Sequence, residues 1–255
     1  MKIVVIGATG RVGEKLVHAL RRADLMVVEA SPTRGVNTIT GEGLGPALQD
    51  ASVVVDVSNS PSLDGAAAMR FFEDSGRRLL AAGKAAGVRH HIALSIVGTD
   101  GLQASGYFRG KKIQEDLIKD SGIPYSILRS TQFFEFLAGV VQNSDDNDVA
   151  IAPALAQPIS RFEVAELLAD LAAGEPLNRT VEAAGPERFR LCDLATEVLT
   201  AYEDPRRIIT DPRAPYFGAE LTDQSLLPGH DARIGALRFE DWLRQSLQPS
   251  NLAPA

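Results

Sequence analysis

The sequence predicts an α/β fold: a doubly wound parallel sheet with a small C-terminal α/β lobe. Three observations point there. The chain opens on a short apolar strand, Lys2 to Ile6, that runs into glycines at 7, 10 and 13. Strand-like and helical stretches then alternate up to about residue 140, the pattern of consecutive βαβ units. The stretch 52–58, SVVVDVS, is a nearly continuous apolar run, as in strands covered on both faces.

The first thirteen residues set the chemistry. Only glycine lets a backbone turn this tightly, approach a pyrophosphate and pack a helix close to its strand. The following EKLVHALRRA carries apolar residues at 16, 17 and 20, a helical spacing. That helix would aim its free N–H groups and its positive dipole end at phosphates. Backbone and side chains of Gly7, Thr9, Gly10, Arg11, Val12 and Gly13 are therefore expected to hold a dinucleotide.

The remaining elements follow in order. LMVVEA (25–30) reads as the second strand, and a polar, Gly-rich loop and a short helix near 44–50 precede the strand at 52–58. A long helix is expected over 64–87, a strand over 90–98, a helix over 109–121 and a strand over 124–130. From about 140 the pattern loosens. VVQNSDDNDVAIAPALAQP reads as a loop, RFEVAELLADLAAG (161–174) as an amphipathic helix, TVEAAG as a short strand and RFRLCDLATEVLTAYE as a helix. A final helix is expected around RFEDWLRQSL. This divides the chain into a dinucleotide-binding core, 1–140, and a substrate lobe, 141–255, interwoven with it as one structural domain.

Composition narrows the partners. The net charge is −7 and there is no basic tract, which argues against nucleic acid. No apolar run of about 20 residues is present, so no membrane span is expected. The strand starts at once, leaving no room for a signal peptide. A single cysteine, Cys192, rules out a disulfide framework and reads as a core thiol. These points fit a cytoplasmic protein with a small-molecule substrate, and they are compatible with a homo-oligomer.

Tyr107 and Lys111 are spaced YxxxK on the helix after the strand at 90–98. A phenol ionises near pH ~10, and an ammonium one helical turn away favours the phenolate. Tyr107 is thus a candidate general acid or base. Ser95, twelve positions earlier, ends the preceding strand and is a candidate for holding the substrate oxygen. Ser58 and Asn59 follow the apolar strand on the cofactor side. Phe133 and Phe134 follow the strand at 124–130 as pocket-lining aromatics, and Tyr216 and Phe217 are placed to cap the pocket from the lobe. His90 and His91 read as strand-edge residues, and Asp145, Asp146 and Asp148 as a solvated loop whose spacing does not match a calcium site. No metal is expected.

GATGRVG, VVVDVSNSP, LSIVGTD, YFRGKKIQEDLIKDSGIPYSILRSTQFFEF and AGPERFRL resemble the NmrA-like, atypical branch of the short-chain dehydrogenase/reductase superfamily. The similarity runs over nearly the whole chain. It implies a Rossmann fold with a small C-terminal substrate lobe and a nicotinamide cofactor whose pyrophosphate rests on Gly7 to Gly13. It also implies Tyr107 as proton donor, Lys111 as the residue that orients the nicotinamide ribose and lowers the tyrosine pKa, and Ser95 as the group polarising the carbonyl. The chain departs from core members in its GxxGxxG spacing and in Asn59-Ser60, where they carry Asn-Asn-Ala-Gly.

Cofactor choice turns on the end of the second strand. An acidic group there takes a ribose 2′-hydroxyl and arginine takes a 2′-phosphate. Ser31, Arg34 and Arg11 favour NADP(H), while Glu29 keeps NAD(H) as the alternative. The leading expectation is an NAD(P)H-dependent reductase of a small apolar carbonyl or quinone. The alternatives are a non-catalytic NAD(P)-binding redox sensor, and an oxygenase or isomerase acting on an aromatic polyketide-like substrate.

Overall fold

β1 (Lys2–Ile6) lies inside a parallel sheet because both of its faces are apolar. The computed structural model describes residues 1–62, 64–136 and 147–248. The first half runs α1 (Gly13–Arg22), β2 (Met26–Ala30), α2 (Leu44–Leu48), β3 (Val53–Asp56), α3 (Gly65–Ala85), β4 (His90–Ile96), α4 (Gly106–Asp120) and β5 (Tyr125–Ser130). The second half adds β6 (Asp148–Ile151), β7 (Leu155–Ala156), α5 (Arg161–Ala173), β8 (Arg179–Ala184), β9 (Phe189–Arg190), α6 (Leu191–Ala201), β10 (Arg207–Thr210), β11 (Arg233–Ile234) and α7 (Phe239–Ser246).

The main sheet has seven strands in the order β11-β8-β5-β4-β3-β1-β2, and every pairing in it is parallel. Successive residues of a strand face opposite sides. Ile3, Val5, Val53 and Val55 pack against α1 and α5 on one face, with Leu16, Leu20, Val164 and Leu168. Val4, Ile6, Val54 and Ala93 face α2, α3 and α4 on the other, with Leu48, Leu79 and Ile118. The order reverses between β1 and β3, so the crevice at the C-terminal ends of β1, β3 and β4 is where such a sheet binds ligands.

A third core belongs to the lobe. Leu191, Leu194, Val198, Phe239 and Trp242 close around Phe134, whose ring stacks on Trp242 at 5.4 Å. The lobe is tied to the main sheet through β8 and β11, which are two of its strands.

Several elements differ from expectation. The stretch read as a loop after residue 140 contributes β6, paired with β10, and β7, paired with β9. Asp148 there is ion-paired to Arg207 at 2.9 Å; Asp145 and Asp146 lie outside the described residues. α4 begins at Gly106 because the Ser105 side chain caps it, accepting from the Phe108 N–H. α3 and α4 cross backbone to backbone: a Cβ built on Gly106 would lie 2.3 Å from the Gly65 Cα. His90 and His91 are buried inside the sheet. Burial and the neighbouring His91 push His90 down to about 4, so it sits neutral, bonded to the Ser126 hydroxyl at 2.9 Å.

Candidate functional site

The crevice is floored by the turn between β1 and α1. Gly7 has φ +81°, a left-handed conformation that disfavours any side chain, and its N–H donates to the Ala30 carbonyl. A Cβ on Gly13 would fall 2.1 Å from the Gly7 oxygen, so the helix can approach the strand only through glycine. Gly10 is different. Its φ is ordinary, and a Cβ there would meet only the Gly7 oxygen, at 3.2 Å. Thr9, Gly10 and Arg11 are exposed, and no side chain caps α1 at Val12. The Gly10 N–H is taken by the Gly7 carbonyl and the Glu14 N–H by that of Gly10; the other N–H groups at the start of α1 form an anion cradle, which fits the pyrophosphate of a dinucleotide.

The end of β2 forms one wall. Ser31 is buried, with its hydroxyl 3.0 Å from that of Thr33. Arg34 lies on the short helical turn that follows. The Glu29 carboxylate is shared by Arg21 at 2.6 Å and Arg34 at 3.3 Å, so its charge is already neutralised. Arg11 has no ion-pair partner among the described residues.

A polar chain links this floor to α4. The buried Asp56, at the end of β3, accepts from the Ser58 N–H at 2.9 Å, the Ser58 hydroxyl at 2.6 Å and the Gln114 amide at 2.9 Å. Gln114 in turn accepts from the Lys111 ammonium at 2.6 Å. The next residue of the loop, Asn59, accepts from the Tyr107 hydroxyl at 3.0 Å. Ser58 is brought beside Gly7, whose missing side chain leaves room for the Ser58 backbone, and Asn59, the next residue, carries the link on to Tyr107. Phe217 stacks on the Tyr107 ring at 5.0 Å. Tyr216 and Phe217 are presented by a tight turn in which Tyr216 and Ala219 exchange backbone hydrogen bonds. Its central residues, Phe217 and Gly218, have φ +50° and +83°, as in a type I′ turn. A bulky residue in that conformation is a local strain of about 1 kcal/mol or more.

Other expected site residues lie elsewhere. Lys111 is buried, and its ammonium is engaged by the Leu94 carbonyl at 2.8 Å, by Gln114 and by the Phe72 ring, whose centroid is 4.6 Å away. Burial lowers it to about 8, partly offset by Asp56 and Glu115. It therefore does not activate the phenol as the spacing suggested. Burial pushes Tyr107 up to about 12. Ser95 is also turned away: its hydroxyl donates to Glu115 at 2.6 Å, inside an ion pair with Arg129. Phe134 is core of the lobe, and Phe133 packs against the α1–α5 face of the sheet. Gln132, buried just after β5 at the head of QFFEF, was not among the expected site residues.

A family model described as NAD(P)H-binding matches residues 7–175, which spans the glycine turn, Asn59, Tyr107 and α5. The chain belongs to this NAD(P)H-binding family. The assignment agrees with the NmrA-like resemblance of the sequence. The photosystem II assembly factor Ycf39 of Cyanophora paradoxa is 29% identical over 153 residues, 54% of this chain and 48% of that protein. A (4-alkanoyl-5-oxo-2,5-dihydrofuran-3-yl)methyl phosphate reductase of Streptomyces griseus is 29% identical over 144 residues, 51% of this chain and 48% of the relative. The chain spans about half the length of these curated relatives. Among solved structures, an NADPH-dependent quinone oxidoreductase of Escherichia coli superposes with a TM-score of 0.66 at 16% identity, over 96% of this chain and 99% of the other. A dTDP-4-dehydrorhamnose reductase of Clostridium acetobutylicum gives 0.67 at 15% identity, over 97% and 92%. The family member thus has the fold of NAD(P)H-binding reductases. No helix among its described residues is long and apolar enough to cross a membrane.

Proposed function

We propose that this chain is an NADPH-dependent reductase of a small apolar carbonyl or quinone, with Tyr107 as proton donor. The observation that carries this is the Tyr107 hydroxyl. It is fixed by Asn59 beside the glycine floor and covered by the Phe217 ring. When bound, the nicotinamide supplies a hydride from C4. Hydride addition to a carbonyl carbon leaves the electron pair on oxygen. The Tyr107 O–H bond breaks and its proton goes to that oxygen; solvent restores it. Hydride plus proton convert a quinone to its hydroquinone by the same balance. A phenol held near 12 is fully protonated at neutral pH, the form a donor requires. In this reading Lys111 and Gln114 act as positioning residues, fixing the helix that carries Tyr107 to Asp56 and hence to the Ser58–Asn59 loop.

The cradle reading is tested at Gly10. A Cβ there meets only one backbone oxygen of the protein, at 3.2 Å, so Gly10→Val is expected to fold with a small local adjustment, while its side chain occupies the phosphate approach and NADPH binding by titration calorimetry is lost. Unchanged affinity in the folded variant overturns the assignment. Ser31, Arg34 and Arg11 support the preference for NADP(H). Arg34→Ala is expected to weaken NADPH by about 1.5–3 kcal/mol, tenfold or more in Kd, and to leave NADH unchanged. Tighter binding of NADH than NADPH to the parent protein reverses the preference.

A cofactor-binding regulator without turnover is the second reading. The diversion of Ser95 and Lys111 from the crevice favours it. Absence of NADPH oxidation across a panel of quinones and aryl ketones would move it ahead.

A further inference from the structure

Two side chains near the aromatic cover of Tyr107, Gln132 and Tyr216, carry buried polar atoms with no hydrogen-bond partner. Gln132 is 2% exposed, yet neither its amide nitrogen nor its amide oxygen is bonded. The Tyr216 hydroxyl is likewise buried and unpaired. The two face each other closely enough for the amide to offset part of the burial that raises the Tyr216 phenol, and Tyr216 also senses Tyr107. They do not close a bond of normal geometry. A buried, unpaired amide or phenol is costly; two adjacent instances call for a compensating role.

Their position supplies one. Gln132 is fixed by the chain: its carbonyl accepts from the Ile159 N–H, and Phe133 bridges to Ile159. Tyr216 is fixed by the strained turn that sets Phe217 on Tyr107. Tyr216 therefore shares with Tyr107 one aromatic cover, built by Phe217 and Phe136, which stack at 5.7 Å, and the Gln132 amide faces Tyr216 from behind. Among these groups Tyr107 alone has its hydroxyl engaged by the cofactor loop. The serine expected to hold the substrate oxygen is bonded elsewhere.

Resting on the reductase reading, we propose that Gln132 and Tyr216 are specificity residues. Both donate hydrogen bonds to a second oxygen of the substrate, while Tyr107 protonates the first. The substrate class is then narrowed to compounds with two oxygens on a flat apolar frame, quinones or conjugated dicarbonyls, in preference to simple ketones. A site built around such donors rejects a ligand that leaves them unpaired.

The test uses Gln132→Met and Tyr216→Phe, each removing a polar group at nearly constant volume. Both are expected to fold with a Tm at or above that of the parent, since each removes an unpaired buried group. Calorimetric titration of the NADP⁺-loaded protein with hydroquinone and with phenol reads the role. The parent is expected to bind hydroquinone at least tenfold more tightly than phenol. Each variant is expected to lose most of that ratio, with NADPH and phenol affinities unchanged. A parent that does not discriminate, or variants that keep its ratio, overturns the inference and leaves the reductase reading standing. A parallel loss of NADPH affinity overturns it too, by assigning the pair to the cofactor. A parent that binds no NADPH overturns the reductase reading itself.

Discussion

Tyr107→Phe is expected to lower turnover by about 10²–10⁴-fold while leaving NADPH affinity and Tm near the parent values. The ring contacts stay: Phe72 and Phe108 meet it edge-on at 5.9 Å, and Phe217 stacks on it. Only the hydroxyl and its bond to Asn59 are removed. The loss belongs in kcat, because proton donation acts on the transition state and not on ground-state binding. NADPH oxidation at saturating substrate measures it. A variant that turns over at the parent rate removes Tyr107 from the mechanism.

Glu115→Leu is expected to destabilise the fold by about 3–5 kcal/mol, because it leaves the Arg129 cation in the interior without its main partner. Glu115 is fully buried and holds Arg129 through two bonds, at 2.8 and 2.7 Å. Asp100 alone remains on the guanidinium, at the surface. For a chain of this size the loss corresponds to a drop in Tm of roughly 6–20 °C. The double variant Glu115→Leu/Arg129→Met is expected to recover most of it, since apolar replacement of both partners removes the orphaned charge. The same pair sets a pH response. Desolvation pushes the Glu115 carboxyl up, but hydrogen bonds from Arg129 and Ser95 outweigh it and hold it below the usual range. A carboxyl depressed in the folded state contributes stability above its unfolded pKa of about 4.3 and loses it as pH falls through the folded value. Denaturant melts between pH 7 and pH 3 should therefore show a steeper acid decline in the parent than in the double variant. A single variant with unchanged Tm, or equal slopes in the two proteins, contradicts this account.

The glycine turn, the parallel sheet and the alternation of helices were legible because each has a short-range signature: period, apolar run or glycine spacing. β6, β7, β9 and β11 are two to four residues long, too short to show a period, and exist because distant segments meet. Ser95 illustrates a different limit. Its place near the end of β4 was readable, but not that Glu115 and Arg129, twenty and thirty-four positions on, would form an ion pair that claims its hydroxyl. Lys111 fails for the same reason: spacing places it one turn from Tyr107, yet Asp56 and Gln114 draw the cation inward. Phe134 and Phe217 look alike in sequence, and only the lobe's packing makes one a core residue and the other a cover. Gln132 carried no local signal: it sits among Ser130, Thr131 and Glu135, and only its burial in the fold sets it apart.

The glycine crossing of α3 and α4 has a consequence for exchange of segments between related chains. Gly65 and Gly106 touch through their backbones, and Gly110 admits Phe72, whose ring a Cβ would approach to 2.7 Å. The two pairs are 41 and 38 residues apart in sequence, yet neither helix tolerates a partner built for ordinary side chains at the crossing. A recombinant with its junction anywhere between them inherits half of a matched pair, and Tyr107, one residue after Gly106, shifts with the misfit. The segment from Asn59 to Gln114 is therefore the smallest block that carries the donor intact. The turn from Pro215 to Ala219 is matched to the same block, since Phe217 stacks on Tyr107 and Tyr216 packs on Phe108, so a donor segment has to bring its own version of that turn.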